Sequence, residues 1–336
     1  MKLQILKKYL WVFLIFLLIA ICIGLPHLKY GVSQFRGQLN ILSHAQPIEE
    51  VLNDPNIPDS VKTKINFVTS IKQFAINSLG ITPTHAYTTV FVQKGQPVLK
   101  TVTACQPYEL KDHTWYFPIV GTVSYKGFFD FEMLNETAQE LKEEGYDVAI
   151  NEITTWSTLG WFDDPILTNF LAKPDGKLAN LIIHELTHGT VFVSGDVYFN
   201  ENMASFIGHK GAILYLKAHA PEELPLYLQH TTERHLISNF VLQKADELET
   251  LYSNNQKKSI SEKQLIKDQF YSQFRHDFLQ LPVNNIEHFL PKDTLLNNTF
   301  FQSYRRYCRD LSQFEKEYEN FNTLKDYIDH LKNTFN

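Results

Sequence analysis

Apolar residues recur at helical spacing at both ends of this chain and alternate with polar ones between. Val32, Phe35, Leu39 and Leu42, then Val61, Ile65, Val68, Ile71 and Phe74, follow the three-to-four step of an amphipathic helix. The pattern predicts a helical stretch over 31–79, interrupted at Asp54–Asp59 by Pro55 and Pro58. From Tyr87 to Ile153 the period shortens. Tyr87–Val92 and Val98–Ala104, rich in Val and Thr, flank Lys94-Gly95-Gln96-Pro97 and read as strand, turn, strand. Trp115–Tyr125 and Asp147–Ile153 read as further strands, with a helix over Asp130–Glu144 between them. From Asp175 the helical period returns and continues to the end. The fold class predicted is α+β. A helical region (31–79) and a small sheet region (85–155) precede two helices in 175–220 and a helical C-terminal part (221–336), all within one domain over 28–336.

Residues 1–27 stand apart. Lys2, Lys7 and Lys8 precede an uncharged apolar run, Tyr9–Leu25, which Pro26 closes. The run is slightly shorter than the ~20 residues of a full span. It ends Ile-Ala-Ile-Cys-Ile-Gly-Leu-Pro, a poor match to the small residues of a signal cleavage site. The expectation is an uncleaved membrane helix with the lysines inside and the remainder exported, to the periplasmic or extracellular side. A cleaved signal peptide is the alternative.

Composition narrows the function. The 44% apolar content is that of a folded protein, and the net charge of −6 is spread without a concentrated basic face, which argues against nucleic acid as a partner. Of the three cysteines, Cys22 lies in the apolar run. Cys105 and Cys308 can pair in an oxidising compartment or stand as two buried thiols.

The chemistry concentrates in Leu181-Ile-Ile-His-Glu-Leu-Thr-His-Gly-Thr190. In H-E-x-x-H on a helix, His184 and His188 lie one above the other and can hold one ion. Glu185 projects beside them, where its carboxylate can take a proton from a water that the metal activates. Leu178, Leu181, Ile182, Ile183 and Leu186 make this helix apolar on most sides, with Asp175 as its expected N-cap. A buried helix carrying two histidines and a glutamate is costly unless a metal satisfies them. The third ligand expected is Glu201 in Phe199-Asn-Glu-Asn-Met-Ala-Ser-Phe206, separated from His188 by twelve residues. That interval suffices to end one helix, turn through Ser194-Gly195-Asp196 and begin another capped by Asn200, with Glu201 in its first turn. Asp196 and His209 are rival third ligands. Ala204 and Ser205 share the face of Glu201: the small Ala allows close helix approach, and the Ser hydroxyl can brace a ligand. Three protein ligands with an open fourth position describe a catalytic site holding one Zn2+ per chain.

Several stretches resemble the bacterial predicted aminopeptidases: Gln38–Val51, Phe117-Pro-Ile-Val-Gly121, Ser124-Tyr-Lys-Gly-Phe-Phe-Asp130, Ser157-Thr-Leu-Gly-Trp-Phe-Asp-Asp-Pro165 and His184–Gly208, which carries both HExxH and NExxA. The resemblance covers about residues 30–220; beyond it only Asn297-Asn298 and Tyr304 match. It implies a zinc aminopeptidase acting on peptides. Many members are lipoproteins, but Ile21 precedes Cys22 where a lipobox needs a small residue. An aminopeptidase must also hold the substrate's ammonium group, and Asp163 and Asp164 are candidates. Tyr125, Tyr198 and Tyr304 are candidate donors to the developing oxyanion. Arg305 and Arg306 can meet a substrate carboxylate or simply face solvent. The architecture expected is that of a thermolysin-like zinc peptidase. An endopeptidase, a hydrolase of another amide, and a membrane-anchored binding protein with structural zinc remain alternatives.

Overall fold

The computed structural model describes residues 28–335 apart from 94, 118–120, 154–162, 293–295 and 308–310. The apolar run Tyr9–Leu25, Cys308 and the whole of Ser157–Phe162 therefore lie outside the described residues. Among the described residues no helix is long and apolar enough to cross a membrane.

The helical start resolves into α1 (28–44), α2 (Ile48–Asn53) and α3 (Asp59–Leu79), with the interruption where the prolines predict it. The sheet region departs from expectation. Instead of one small sheet, three form among the described residues. Strand β1 (Gln46–Pro47) runs antiparallel to β2 (Thr89–Phe91), and β2 runs parallel to β8 (Ile166–Leu167). Strand β3 (Leu99–Cys105) lies between β6 (Lys126–Phe128) and β7 (Asp147–Ile153), antiparallel to both. Strands β4 (Trp115–Phe117) and β5 (Gly121–Val123) form a separate hairpin, so the single strand expected over Trp115–Tyr125 is two. The expected hairpin between Tyr87–Val92 and Val98–Ala104 does not form either. After Phe91 the chain is held by the segment following β8: Thr168 Oγ1 accepts from Gln93 N at 2.8 Å, and Asn169 N donates to Gln93 Oε1 at 3.0 Å. Those distant partners overrule the local turn signal. Helix α4 (Phe131–Glu143) forms as predicted, capped by the Asp130 carboxylate.

The helices α5 (Asp175–His188), α6 (Val197–His219), α7 (Leu224–Asn254), α8 (Ile260–Phe278), α9 (Asn298–Tyr307), α10 (Ser312–Tyr318) and α11 (Leu324–Phe335) complete the chain. The fold is mixed α+β and mainly helical, with its apolar residues in three clusters. The largest joins Ile65, Val68 and Ile71 of α3 to Ile182 and Ile183 of α5, Phe206 of α6, and Tyr327 and Ile328 of α11, all essentially inaccessible. Burying each such side chain contributes roughly 1.5–3 kcal/mol. The last helix thus closes over the first long one, and α5 and α6 are fixed from both sides. A second cluster gathers Phe274, Phe278 and Phe301 from α8 and α9. The third packs α4 on the β6–β3–β7 sheet through Val102, Phe128, Leu134 and Leu141.

A buried ion pair joins that sheet to the C-terminal helices. Lys267 of α8, 4% exposed, donates to Asp147 of β7 at 2.6 Å and to Pro107 O at 2.9 Å. The same carboxylate accepts Asn298 N at 2.9 Å. Cys105 is a free, buried thiol pushed up to about 12, chiefly by burial and then by Asp112 and Asp147. Tyr304 packs on Phe300, Arg305 binds Asp246 and Glu249, and Arg306 binds Asp112. The two arginines are thereby committed to ion pairs within the fold.

Lys267→Met alone should cost roughly 3 kcal/mol, because it leaves the largely buried Asp147 carboxylate without its counter-charge. Adding Asp147→Asn should recover much of that loss in chemical denaturation; two losses that simply add would show that the charges are not coupled.

Candidate metal centre

Helix α5 begins at Asp175, which occupies the first helical position rather than the cap; Pro174 is the cap residue. The Asp175 carboxylate instead pairs with Lys64 of α3. Proline at that boundary supplies an extended residue before the helix and leaves the acid free for the tertiary contact. Over the next turns Leu178, Ala179, Ile182, Ile183 and Leu186 are buried, and His184 and His188 face α6.

The connection is cross-braced. Thr190 Oγ1 donates to Leu186 O and accepts from Thr82 N. Asn200, expected as a cap, instead closes the loop on itself: its side chain accepts from Val193 N and donates to Val193 O, both at 2.8 Å. The α6 cap is Asp196, whose carboxylate accepts from Phe199 N at 2.9 Å. The helix therefore starts four residues earlier than expected, and Glu201 lies in its second turn. That places Asp196 at the cap and outside the group of converging donors; His209 bonds Tyr227 through Nδ1 at 2.9 Å and is also outside it.

What does converge is His184, His188 and Glu201. Their ligand atoms lie within 4.8 Å of one another. The two Nε2 atoms are 3.3 Å apart, and Glu201 reaches His188 at 3.3 Å and His184 at 3.6 Å. Zinc–nitrogen bonds of about 2.0–2.1 Å in a tetrahedron put ligand atoms about 3.3–3.4 Å apart. The donor set thus fits one small cation. It also fits in chemistry: two imidazoles and a carboxylate suit zinc and neighbouring divalent ions. Ser205 Oγ stands 3.4 Å from His184 Nδ1, the bracing position expected of it. His188 Nδ1 is buried without a hydrogen-bond partner among the described residues.

Close helix approach makes this convergence possible, and the residue responsible is Gly208 rather than Ala204 alone. A Cβ on Gly208 would lie 2.8 Å from Asn180 O and 3.0 Å from His184 Cβ. Any side chain there would push α6 away from the α5 histidines.

Glu185 is half-buried beside the ligands. Sequence reasoning missed its neighbour, Tyr87. This residue holds φ at +58°, a region that costs a bulky side chain on the order of 1–3 kcal/mol. The conformation is held by Tyr87 N bonding Asp164 O at 2.7 Å, by Lys72 Nζ on Ala86 O at 2.6 Å, and by edge-on packing against Phe170. Burial first, then the carboxylates of Glu185 and Asp164, pushes the Tyr87 phenol well above its usual value, so it stays protonated. Asp164 is buried and belongs to this neighbourhood, whereas Asp163 is exposed and acts on Lys72. Tyr125 lies in the bend between β5 and β6 and Tyr198 in the first turn of α6, both exposed. No sequence signal singles out Tyr87 among sixteen tyrosines; its position depends on a left-handed backbone and a partner far along the chain.

A family model described as "Putative aminopeptidase" matches residues 29–335. No curated protein and no solved structure matches the chain.

Gly208→Val should lower stability by about 1–3 kcal/mol through overpacking and reduce metal content, since Glu201 would be carried away from the histidines. Metal analysis beside a melting curve checks both; unchanged metal content would show that the α5–α6 spacing does not govern the site.

Proposed function

This chain belongs to that aminopeptidase family, and on that premise we propose that it is a zinc peptidase of the thermolysin-like kind that removes residues from the free N-terminus of peptides. The observation that carries the metal reading is the set of ligand distances: His184, His188 and Glu201 stand as a tetrahedral ion requires, with an acid at the next residue. A zinc ion held there would polarise the scissile carbonyl and lower the pKa of the attacking water to about 7.

Everything else falls to the chain's own groups. Glu185 takes the proton of the attacking water and returns it to the leaving amine. Ser205 holds His184 in orientation. Asp164 offers a buried carboxylate to the substrate ammonium, with Asp163 at the exposed rim. Tyr87, protonated and close to Glu185, can donate a hydrogen bond to oxygen that becomes charged in the transition state, a role the sequence assigned to other tyrosines. Residues 1–27 anchor the domain to a membrane, with the site on the exported side.

The experiment uses the full-length protein. Glu185→Gln should keep about one zinc per chain and lose roughly 10²–10⁴-fold in kcat/KM, the range expected for a positioned acid–base group; full activity in that variant would sink the mechanism. A peptide and its N-acetylated twin separate the modes of attack. Cleavage of the free peptide alone supports an aminopeptidase, and cleavage of both would make the enzyme an endopeptidase.

A further inference from the structure

Helix α1 reaches the core only near its end, where Ile41 is fully buried; over its first three turns the apolar side faces outwards. Tyr30, Ser33, Gln34, Gly37 and Gln38 face the protein, while Leu28, Val32, Phe35 and Leu39 face away, 63, 40, 64 and 45% exposed. At 3.6 residues per turn these four fall within an arc of about 60°. The orientation is fixed by bonds on the inner side. Tyr30 Oη donates to Gly127 O at 2.8 Å, and Gln34 Nε2 donates to the same carbonyl at 3.0 Å. Gly37 lies flat on Phe129, where a Cβ would come within 2.1 Å of the ring. Rotating α1 to bury the stripe would break both bonds and force the ring of Phe129 aside. A continuous apolar stripe held outwards in this way marks a contact with something else.

Three observations identify the occupant. Only Pro26 and His27 separate the apolar run Tyr9–Leu25 from Leu28, so the stripe follows closely on a hydrophobic segment in the same chain. Lys29 and Arg36, both exposed, flank the stripe on one side, which gives cations at the edge of an apolar face. The β4–β5 hairpin touches α1 through Phe117, 6.0 Å from Tyr30, and carries Tyr116, 74% exposed, an aromatic of the kind enriched at the membrane–water boundary. A second copy suits these features less well. The 4-3-4 spacing would serve a coiled-coil seam, but the charges flanking the stripe are of one sign, and a pair needs opposite ones.

We propose that α1 lies along the bilayer surface as an interfacial helix. Its Leu28–Leu39 stripe sits in the headgroup–acyl boundary, and Lys29 and Arg36 meet anionic headgroups. The proposal rests on the anchor reading of residues 1–27 and adds to it. Because α1 is bonded to β6 on its inner side, the domain stands on the membrane in a fixed attitude instead of hanging from a tether. Its peptides would then be met at the bilayer surface.

Full-length protein in liposomes of phosphatidylcholine and phosphatidylglycerol provides the test, with p-benzoylphenylalanine installed in place of Phe35 or, as a control, of Leu265, an equally exposed apolar residue on α8. Irradiation should give lipid adducts from position 35 and none from 265. A covalent dimer from position 35 would replace the bilayer with a second copy, and a cross-link to residues 1–27 would replace it with this chain's own leader; either overturns the proposal. Absence of adducts while the protein stays in the pellet after alkaline carbonate would leave the anchor standing and reject the interfacial helix. Loss of the protein from the pellet would reject both.

Discussion

The site depends on how closely α6 can lie on α5. Two imidazoles four residues apart come with any helix, but the carboxylate must arrive from another element, and its reach is only a few ångströms. Gly208 against Asn180 and His184 fixes that reach. The same packing leaves two imidazoles and a carboxylate converging in a largely apolar surround, an arrangement that is unfavourable by itself and becomes favourable around a cation. The flanking α3 and α11, with Ile71, Tyr327 and Ile328, hold the pair against that cost. Core and metal centre are in this sense one structure, since the apolar contacts position the ligands and an ion would offset what they make unfavourable.

What could be read from the sequence follows from which distances the chain itself sets. His184, Glu185 and His188 are legible because the helical period converts spacing directly into position. Glu201 is legible because twelve intervening residues suffice for one turn and a return. The caps were misjudged for a local reason: Asp196 and Asn200 are both capping residue types, and only the loop's closure on Val193 distinguishes them. The hairpin expected at Gly95 failed because a turn signal was set against long-range pairing with β1 and β8, and the pairing won. Tyr87 lay beyond reach. Its place beside Glu185 requires a left-handed φ and a bond to Asp164, and neither leaves a trace in the local pattern. Helix α1 shows a subtler limit, since periodicity finds the stripe and says nothing of which side the protein lies on.

Two buried polar groupings in this chain solve the same problem differently. Lys267 and Asp147 neutralise each other, with Asn298 and the Pro107 carbonyl filling the remaining hydrogen-bonding positions. The pair joins sheet to helices. In the histidine–glutamate group His188 Nδ1 is buried without a hydrogen-bond partner among the described residues, and the group lies near backbone held in a strained conformation at Tyr87. Strain that the fold keeps in place beside half-satisfied polar groups is what a reactive centre requires, since the groups stay available to substrate.

Exposure within the group then gives the direction of approach. The His188 side chain is 2% exposed, that of His184 15% and that of Glu201 31%. A cation held by the three would be sealed on the His188 side and open toward Glu201. Glu185 is half-buried next to His184, with the buried Tyr87 close to it. On the proposed mechanism a peptide would therefore enter on the Glu201 side, where the half-buried general base stands beside the ligands.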